Sequence, residues 1–593
     1  MRTTLRSLLW RTALAAGLVC AVGLLPWLAH TDPALTVLKA RSADRDPDPR
    51  VLADIRAQLG LAEGPLTLLG RWLTRLPRGD AGRSWLNDTD VTPAVLDALG
   101  ASLLLMTAAL AVAALTAALV TARTLRGGPA GLRRQAAAHR RRGGSGTAVL
   151  AALPEFLTAS LLATVVGVQL GWLPALGWYG PRWTVLPALA LGLPAGAVLG
   201  RLLDDLLPAA LAEPWARAAA ARGLPRRRIA RQAVRRCLPA LLPNTSLFVV
   251  GMTGGAVAVE QVFDIPGLGR TTLQAALAQD LPVLQAGTLA LLLLAAAATA
   301  LAHLASRLLT GPALRDGALP TLHPPAPPAR TALPLVYGGA LAAVVALGLP
   351  RDPLAVDTGA RLHPPSLPHP FGTDALGRDV LARVAHGALD TLLLAVSIGA
   401  AALLAGVLLG LAPRLTGPLA DTVNAVPPVL VALLVTAVHG GGATTPALAV
   451  LAVAWAPLAT HTSALLRQER ATTHLAATRA LGAGRAHLLR RVLLPAVLPS
   501  VARHALLRLP GTALALASLS FLGLGAQPPS PEWGLLLAEN QPYAERAPWT
   551  VLAPAAALAL LGALAVGAAA GVRLPRRRRA RAQLPLPRTE YAA

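Results

Sequence analysis

Twelve apolar runs constrain the fold of this chain more than any other feature of its sequence. A helix that crosses about 30 Å of hydrocarbon needs roughly 20 apolar residues. Backbone groups within lipid must find their hydrogen-bond partners inside the chain, so the runs predict an all-α membrane protein. The first six lie near residues 10–29, 99–122, 148–172, 183–203, 243–262 and 284–308. The other six follow the proline-rich stretch 321–334 and lie near residues 332–350, 387–412, 424–440, 446–465, 502–524 and 547–572.

Composition and charge placement agree with a membrane protein. Of the 593 residues, 54% are hydrophobic and 14% are charged, whereas soluble domains carry about 25% charged residues. The net charge of +25 raises the question of nucleic acid, but the arginines cluster in 123–142, 217–236 and 576–579. Basic loops that alternate with near-neutral ones follow the positive-inside rule. We therefore expect contact with lipid, no nucleic-acid partner, and both termini in the cytoplasm.

The reactive side chains predict neither a metal site nor a catalytic site. Cys20 lies in the first apolar run and Cys237 in a basic loop, so the two cannot pair across a membrane. No cluster of histidines, cysteines and acids has metal-ligand spacing, and no nucleophile lies beside a base in the pattern. The first run is longer than the apolar part of a signal peptide, which favours an uncleaved first helix.

The two groups of spans predict an internal duplication. Six is an even number, so both groups enter the membrane in the same direction and form two parallel six-helix repeats. The segments RRCLPALLPN (235–244) and RRVLLPAVLPS (490–500) occupy corresponding places between the fourth and fifth spans. The predicted divisions are a first helix with an external region (1–92), a first transmembrane domain (93–309), a cytoplasmic linker (310–331), a seventh helix with an external segment (332–386), a second transmembrane domain (387–573) and a basic cytoplasmic tail (574–593).

Two loops of the same design lie on the expected cytoplasmic side. In 215–239 and 474–495 an alanine-rich helix is followed by a glycine, Gly223 or Gly482, and then by a basic amphipathic helix. Glycine supplies the backbone freedom that such a turn requires. Each loop alone is equally compatible with a helix lying on anionic lipid. Its presence in both halves favours a surface for docking another protein.

These loops resemble the EAA loops of ABC-importer permeases. The family pattern is Glu-Ala-Ala, three residues, Gly, and then a helix ending near Leu-Pro. The matching residues are Arg217, Ala218, Ala219 and Gly223 in the first half, and Ala476, Ala477, Thr478 and Gly482 in the second. Arg217 and Ala476 stand where the pattern has glutamate. The resemblance implies that separate ABC ATPase subunits dock at these loops.

Other segments resemble the two permease subunits of dipeptide, oligopeptide and nickel importers. VEQVFDIPGLGR (259–270), with 55–85 and 279–289, is similar to one subunit. FGTDALGRDVLARV (371–384) and SLSFLGLGAQPPSPEWG (518–534) are similar to the other. The chain thus looks like two type I transmembrane domains fused into one permease of a bacterial plasma membrane. The resemblance implies a translocation path, an extracytoplasmic solute-binding protein as partner, and a cargo of peptides, nickel or metal chelators.

The fifth span of each half ends in a turn rich in glycine and proline, on the expected external side. These turns predict an outer mouth for the path, although a simple helix stop explains them as well. We expect the ring of Trp533 to lie at the membrane interface with its N–H group in water. The residues concerned are Pro266, Gly267, Gly269 and Arg270 in the first turn, and Gly523, Gly525 and Trp533 in the second.

The sequence predicts no ATP site within the chain. A phosphate-binding loop needs a lysine after glycine, and the only lysine, Lys39, lies in TVLKARS. We therefore expect no enzyme and no cofactor in this chain, with ATP and Mg²⁺ on a partner. Glu155 in the third span is a possible pore carboxylate. An ion-coupled transporter remains an alternative, as does an inactive permease-like scaffold, because Ala476 and the segment GALDTL (387–392) depart from the family pattern.

Overall fold

Helices supply the regular secondary structure of the protein. The computed structural model describes residues 13, 16–28, 33–41, 48–59, 61–142, 150, 153–309, 332–424, 426–439, 442 and 444–571, and no strand occurs within them. The helices of the first half are α1 (Leu25–Leu28), α2 (Pro33–Arg41), α3 (Pro49–Gln58), α4 (Pro65–Arg75), α5 (Val91–Arg142), α6 (Glu155–Leu162, continued by π-helical Ala163–Gln169), α7 (Pro181–Ala212), α8 (Pro214–Ala221), α9 (Arg226–Val262), α10 (Leu268–Leu277) and α11 (Leu281–Leu309). Those of the second half are α12 (Ala332–Gly348), α13 (Val380–Gly410), α14 (Pro413–Asn424), α15 (Pro428–His439), α16 (Thr445–Arg470), α17 (Thr473–Ala480), α18 (Arg485–His487, continued by π-helical Leu488–Leu493), α19 (Leu494–Phe521), α20 (Trp533–Asn540) and α21 (Pro548–Gly571).

The predicted spans coincide with these helices. In the described ranges, six helices are long and apolar enough to cross a membrane, and α14 with α15 makes a seventh if this pair, bent by 96°, is one span. Helices α6, α12 and α21 are apolar but shorter, and the predicted fifth span lies within α9. The two-repeat, all-helical membrane fold is therefore confirmed. Part of the first span, the linker 310–331 and the tail 574–593 lie outside the described residues.

Each half packs its first long helix against the helix of its fourth span through glycines. In the first half Gly192, Gly196 and Gly200 of α7 face α5 so closely that an added Cβ would collide with it. In the second half the glycines lie instead on the first long helix, where Gly406 and Gly410 of α13 face α16. Small residues at four-residue spacing let membrane helices approach closely. The repeat therefore conserves the helix pair but not the glycine-bearing member.

The halves interlock through their third spans. Helix α6 packs on α21, and α15 packs on α10, so each contacts the other half. The Ser160 hydroxyl donates to Gln541 Oε1 (2.7 Å), and Gln169 Nε2 donates to the carbonyl of Ala544 (3.0 Å). In the reciprocal contact, Gln279 Nε2 donates to the carbonyl of Thr436 (3.4 Å). We call this contact zone between the two halves the seam.

Candidate functional site: two loops, two turns and the seam

The two predicted loops have the same backbone structure. Helices α8 and α17 are each followed, two residues beyond their last residue, by a glycine with positive φ, 73° at Gly223 and 87° at Gly482. The amides of both glycines donate to the carbonyl three residues earlier, at 3.0 Å in each loop. The left-handed backbone conformation is the one in which a side chain is most costly. A Cβ at either glycine would meet no described atom within 4 Å, so the requirement for glycine here is conformational.

The predicted loop residues divide into an exposed face and an anchored face. Arg217, Ala218, Ala476 and Ala477 are exposed, whereas Ala219 is buried. The anchored face of α8 packs in a cluster that includes buried residues of α7 and α9, and α17 packs in a corresponding cluster with α13, α16 and α19. Each loop therefore presents the exposed members of its predicted docking residues on a surface held by its own half, whereas Ala219 belongs to the anchored face.

The first loop carries an ion pair that the sequence patterns did not reveal. Glu213, directly before α8, binds Arg236 of α9 through two contacts of 2.9 and 3.2 Å, and the indole N–H of Trp215 donates to the same carboxylate (2.7 Å). In the second loop Thr472 holds the place before α17, where its hydroxyl donates to the carbonyl of Glu469 (2.7 Å). No ion pair from α17 to the following helix occurs among the described residues. In the sequence, the one sign of this ion pair is an acid, Glu213, directly before an alanine-rich helix.

We expect the change Arg236→Gln to loosen α8. Hydrogen bonds to charged groups contribute about 1.5–3 kcal/mol, and the side chains of Arg236 and Glu213 are only 11% and 19% exposed. Hydrogen–deuterium exchange of the peptide covering α8 should therefore accelerate about tenfold or more. Arg235→Gln, at an exposed neighbour, is the matched control. Equal exchange in the two variants would show that the ion pair does not hold the loop.

The first turn is built around a buried carboxylate. Glu260 is fully buried, and it accepts hydrogen bonds from the Ser102 hydroxyl (2.5 Å) and the amide of Arg270 (2.9 Å). An added Cβ at Gly267 or Gly269 would collide with this carboxylate. The glycines are therefore required by close packing, and the carboxylate caps the N-terminus of α10.

The rest of this turn is more open. Pro266 is exposed, and Arg270 forms an ion pair with Asp264, whose φ is positive at 57°. Pro266 and the Arg270–Asp264 ion pair lie at the surface of the turn, whereas Gly267 and Gly269 face inward.

The second turn uses the same design with a different acid. Glu532 is buried and accepts a hydrogen bond from the amide of Leu535 (3.0 Å), which makes it the cap of α20. The Thr391 hydroxyl lies 3.5 Å from its Oε1. Burial raises the pKa of Glu532, and these hydrogen bonds oppose the rise. Thr391 and Ser102 each lie eleven residues after the first residue of their helix, α13 and α5. The pairing of an acid with a hydroxyl is thus a shared feature of both halves.

The expectation that the N–H group of Trp533 lies in water is wrong. The residue is fully buried, and its indole N–H donates to the carbonyl of Val384 (2.8 Å) instead of to water. Gly387 makes this possible, because a Cβ there would collide with Pro531 and with the indole ring. Gly523 has the positive φ (77°) expected of a turn glycine, and Gly525 packs against Ser520.

A short bridged loop precedes the first long helix of each half. Arg83 and Asp90 form an isolated antiparallel β-bridge before α5, and Thr373 and Asp379 form another before α13. The first amide of each helix bonds to a glycine carbonyl, at 3.0 Å for Val91 and 3.1 Å for Val380. Two segments that resemble different permease subunits, 55–85 and 371–384, therefore end in equivalent structures.

The second bridged loop also contains a buried ionic network. Arg383 is 1% exposed and contacts Asp374 Oδ2 (2.9 Å) and Glu539 Oε2 (3.0 Å). Arg378 contacts Asp374 as well, at 2.7 Å. The network joins the loop, α13 and α20, and it includes two charged residues of the GTDALGRD motif, Asp374 and Arg378.

Glu155 lies at the seam. It is the first residue of α6, is partly accessible, and packs beside Gly255 of α9. No group of three or more histidines, cysteines or acids in the described ranges is arranged to hold a metal ion.

Comparison with known proteins identifies the repeat. The family model described as "Binding-protein-dependent transport system inner membrane component" matches residues 145–311 and again residues 397–576. The di/tripeptide transport system permease protein of Pseudomonas aeruginosa is 38% identical over 189 residues, 30% of this chain and 62% of the relative. A putative peptide permease protein of Brucella suis is 35% identical over 213 residues (34% and 70%), and the glutathione transport system permease protein of Escherichia coli is 39% identical over 186 residues (30% and 60%). The chain thus spans 60–70% of the length of these relatives.

Proposed function

We propose, because this chain belongs to the family of binding-protein-dependent transport system inner membrane components, that it supplies both permease halves of one ABC importer. The family domain occurs twice, whereas each of the relatives above matches about a third of the chain. One chain then forms the whole translocation path, without a second permease subunit. Membership of this family disfavours the ion-coupled transporter.

The observation that carries the proposal is the pair of equivalent loops at Gly223 and Gly482. Two copies of one exposed, rigidly turned surface suit two copies of one kind of partner, which we propose to be the ATPase subunits. The end of the helix bundle that bears these loops is then cytoplasmic. ATP and Mg²⁺ would bind to the partners, and this chain would be no enzyme.

The path would run along the seam, and the two turns would surround its outer mouth. An extracytoplasmic binding protein would deliver the cargo there. Closure of the ATPase subunits would rock the halves about the seam, a rigid-body motion of packed elements. The transmembrane domains would comprise residues 93–309 and 387–573.

We propose peptides as the cargo. The relatives are named for transport of di- and tripeptides, peptides and glutathione. The predicted spans carry few charged residues, so the path would make few specific contacts with its cargo. Nickel is a cargo of the wider family that the resemblance implied, and it is the second cargo to test.

Uptake in a deletion strain tests this function. A strain that lacks the gene would be complemented with the chain and given labelled dipeptides, tripeptides and nickel, with the partner genes left in place. We expect restored peptide uptake that stops when cellular ATP is depleted. Uptake that persists without ATP would contradict the ABC mechanism. No uptake of any cargo, with normal amounts of the chain in the membrane, would favour the inactive scaffold.

A further inference from the structure

Glu155 lies where the two halves meet. A Cβ added at Gly255 of α9 would be 3.0 Å from Cγ and Cδ of Glu155. A Cβ added at the adjacent Gly254 would be 3.2 Å from Cβ of Pro427, which belongs to the second half. The carboxylate of the first half and the proline of the second half therefore flank a single glycine pair, which locates Glu155 at the seam.

The neighbouring surface has room for a ligand. Gly251 lies one helical turn before Gly255, on the same face of α9, and it is exposed with no described atom within 4 Å of an added Cβ. Gly511 of α19, in the second half, has the same two properties. The fifth span of each half thus offers bare backbone to open space. Next to Glu155, this space borders the path that the proposed function requires.

An aromatic contact joins the two halves at the residue next to Glu155. The rings of Phe156 and Phe521 have centroids 5.5 Å apart, one from each half. Phe521 is the last residue of α19, directly before the second turn. The contact therefore joins α6, beside Glu155, to the end of α19 that leads into the second turn.

Among the residues that the structure describes, no arginine, lysine or histidine forms an ion pair with the Glu155 carboxylate. A carboxylate within a membrane is costly unless it is paired, and such a residue marks a path for ions or substrates by default. An incoming ammonium group would supply the missing charge.

We propose that Glu155 binds the α-ammonium group of a peptide in the translocation path, with the peptide backbone along the Gly251–Gly255 face of α9. The assignment rests on the proposed function, and it names the group of the cargo that the permease recognises. The carboxylate then offsets the cost of removing the ammonium from water. The Phe156–Phe521 contact separates the bound peptide from the outer mouth.

Binding to the purified full chain in lipid nanodiscs tests the assignment without the binding protein. The probes are alanyl-phenylalanine amide, which carries an ammonium group and no carboxylate, and its N-acetyl derivative, which is neutral. We expect the wild type to bind the ammonium form about tenfold or more tightly than the acetyl form, since one such charge pair contributes at least about 1.4 kcal/mol. Glu155→Gln should remove the difference, and Glu155→Asp should retain part of it.

The exposed acid Asp97 at the start of α5 gives the matched control, since Asp97→Asn should keep the full preference. Thermal unfolding of each variant separates loss of the site from loss of the fold. A preference that survives in Glu155→Gln, or that the folded wild type lacks, would overturn the assignment. If the binding test fails in this way while the wild-type chain restores peptide uptake in cells, the permease function stands and only the role of Glu155 is removed.

Discussion

Replacing Gly223 and Gly482 together by valine is expected to reduce peptide uptake at least about tenfold while the chain still folds in the membrane. Both residues have positive φ, 73° and 87°, where a side chain costs roughly 1–2 kcal/mol per residue and a β-branched one more. Each 1.4 kcal/mol changes the population of a conformation tenfold. Because an added Cβ meets no described atom within 4 Å, the strain falls on the loop and not on the core.

Uptake of labelled peptide by the complemented strain, normalised to the amount of chain in the membrane, measures this effect. Gly484→Val is the matched control, because Gly484 lies two residues further on, has an ordinary φ of −67° and is equally open. Each single variant should give a partial loss. If the control loses as much uptake as the double variant, bulk in the loop matters and its left-handed turn does not.

Replacing Arg383 by methionine is expected to lower the stability of the chain more than replacing an exposed arginine does. Its side chain is 1% exposed and contacts both Asp374 and Glu539. Removing one partner from a buried ion pair costs about 3–5 kcal/mol, because the remaining charges are left without compensation. Since the network joins the second bridged loop to α20, the second turn should loosen as well. Chemical unfolding of the purified wild type and variant measures the change in the free energy of unfolding.

Arg71→Met provides the comparison for this experiment. Arg71 forms an ion pair of 3.0 Å with Glu63, but the two side chains are 42% and 49% exposed. Exposed pairs contribute only about 0–1 kcal/mol. Similar losses in the two variants would mean that water reaches the Arg383 network. Partial recovery when Glu539→Gln is added to Arg383→Met would identify the uncompensated carboxylate as the cause.

Local features of the two loops could be predicted well from sequence. A glycine that ends an alanine-rich helix and precedes a basic one needs no distant residue to be recognised, and Gly223 and Gly482 have the expected conformation. The turns were located correctly, but their construction was not predicted. Ser102 and Glu260 are 158 positions apart, and Thr391 and Glu532 are 141 apart. A hydroxyl within an apolar run carries no sign of such a partner.

Trp533 illustrates why the hydrogen-bond partner of an aromatic side chain was predicted wrongly. A tryptophan after a glycine–proline turn suits the membrane interface, and that rule considers only the residue and its position along the chain. Its burial depends on Gly387, a residue of another helix whose missing side chain leaves space for the ring. The hydrogen bond to Val384 then replaces the one expected with water.

The sequence by itself determined the helical membrane fold, the two parallel repeats and the places of the loops and turns, since each depends on the hydropathy or backbone preference of one short run. The tertiary structure decided which hydroxyls meet the acids that cap α10 and α20, that Glu539 joins Arg383, and that the third span of each half packs against the other half. These features depend on which side chains meet when segments more than a hundred residues apart pack together. A buried charge or hydroxyl is stabilised only by the partner it meets there, and hydropathy along the chain does not specify that partner.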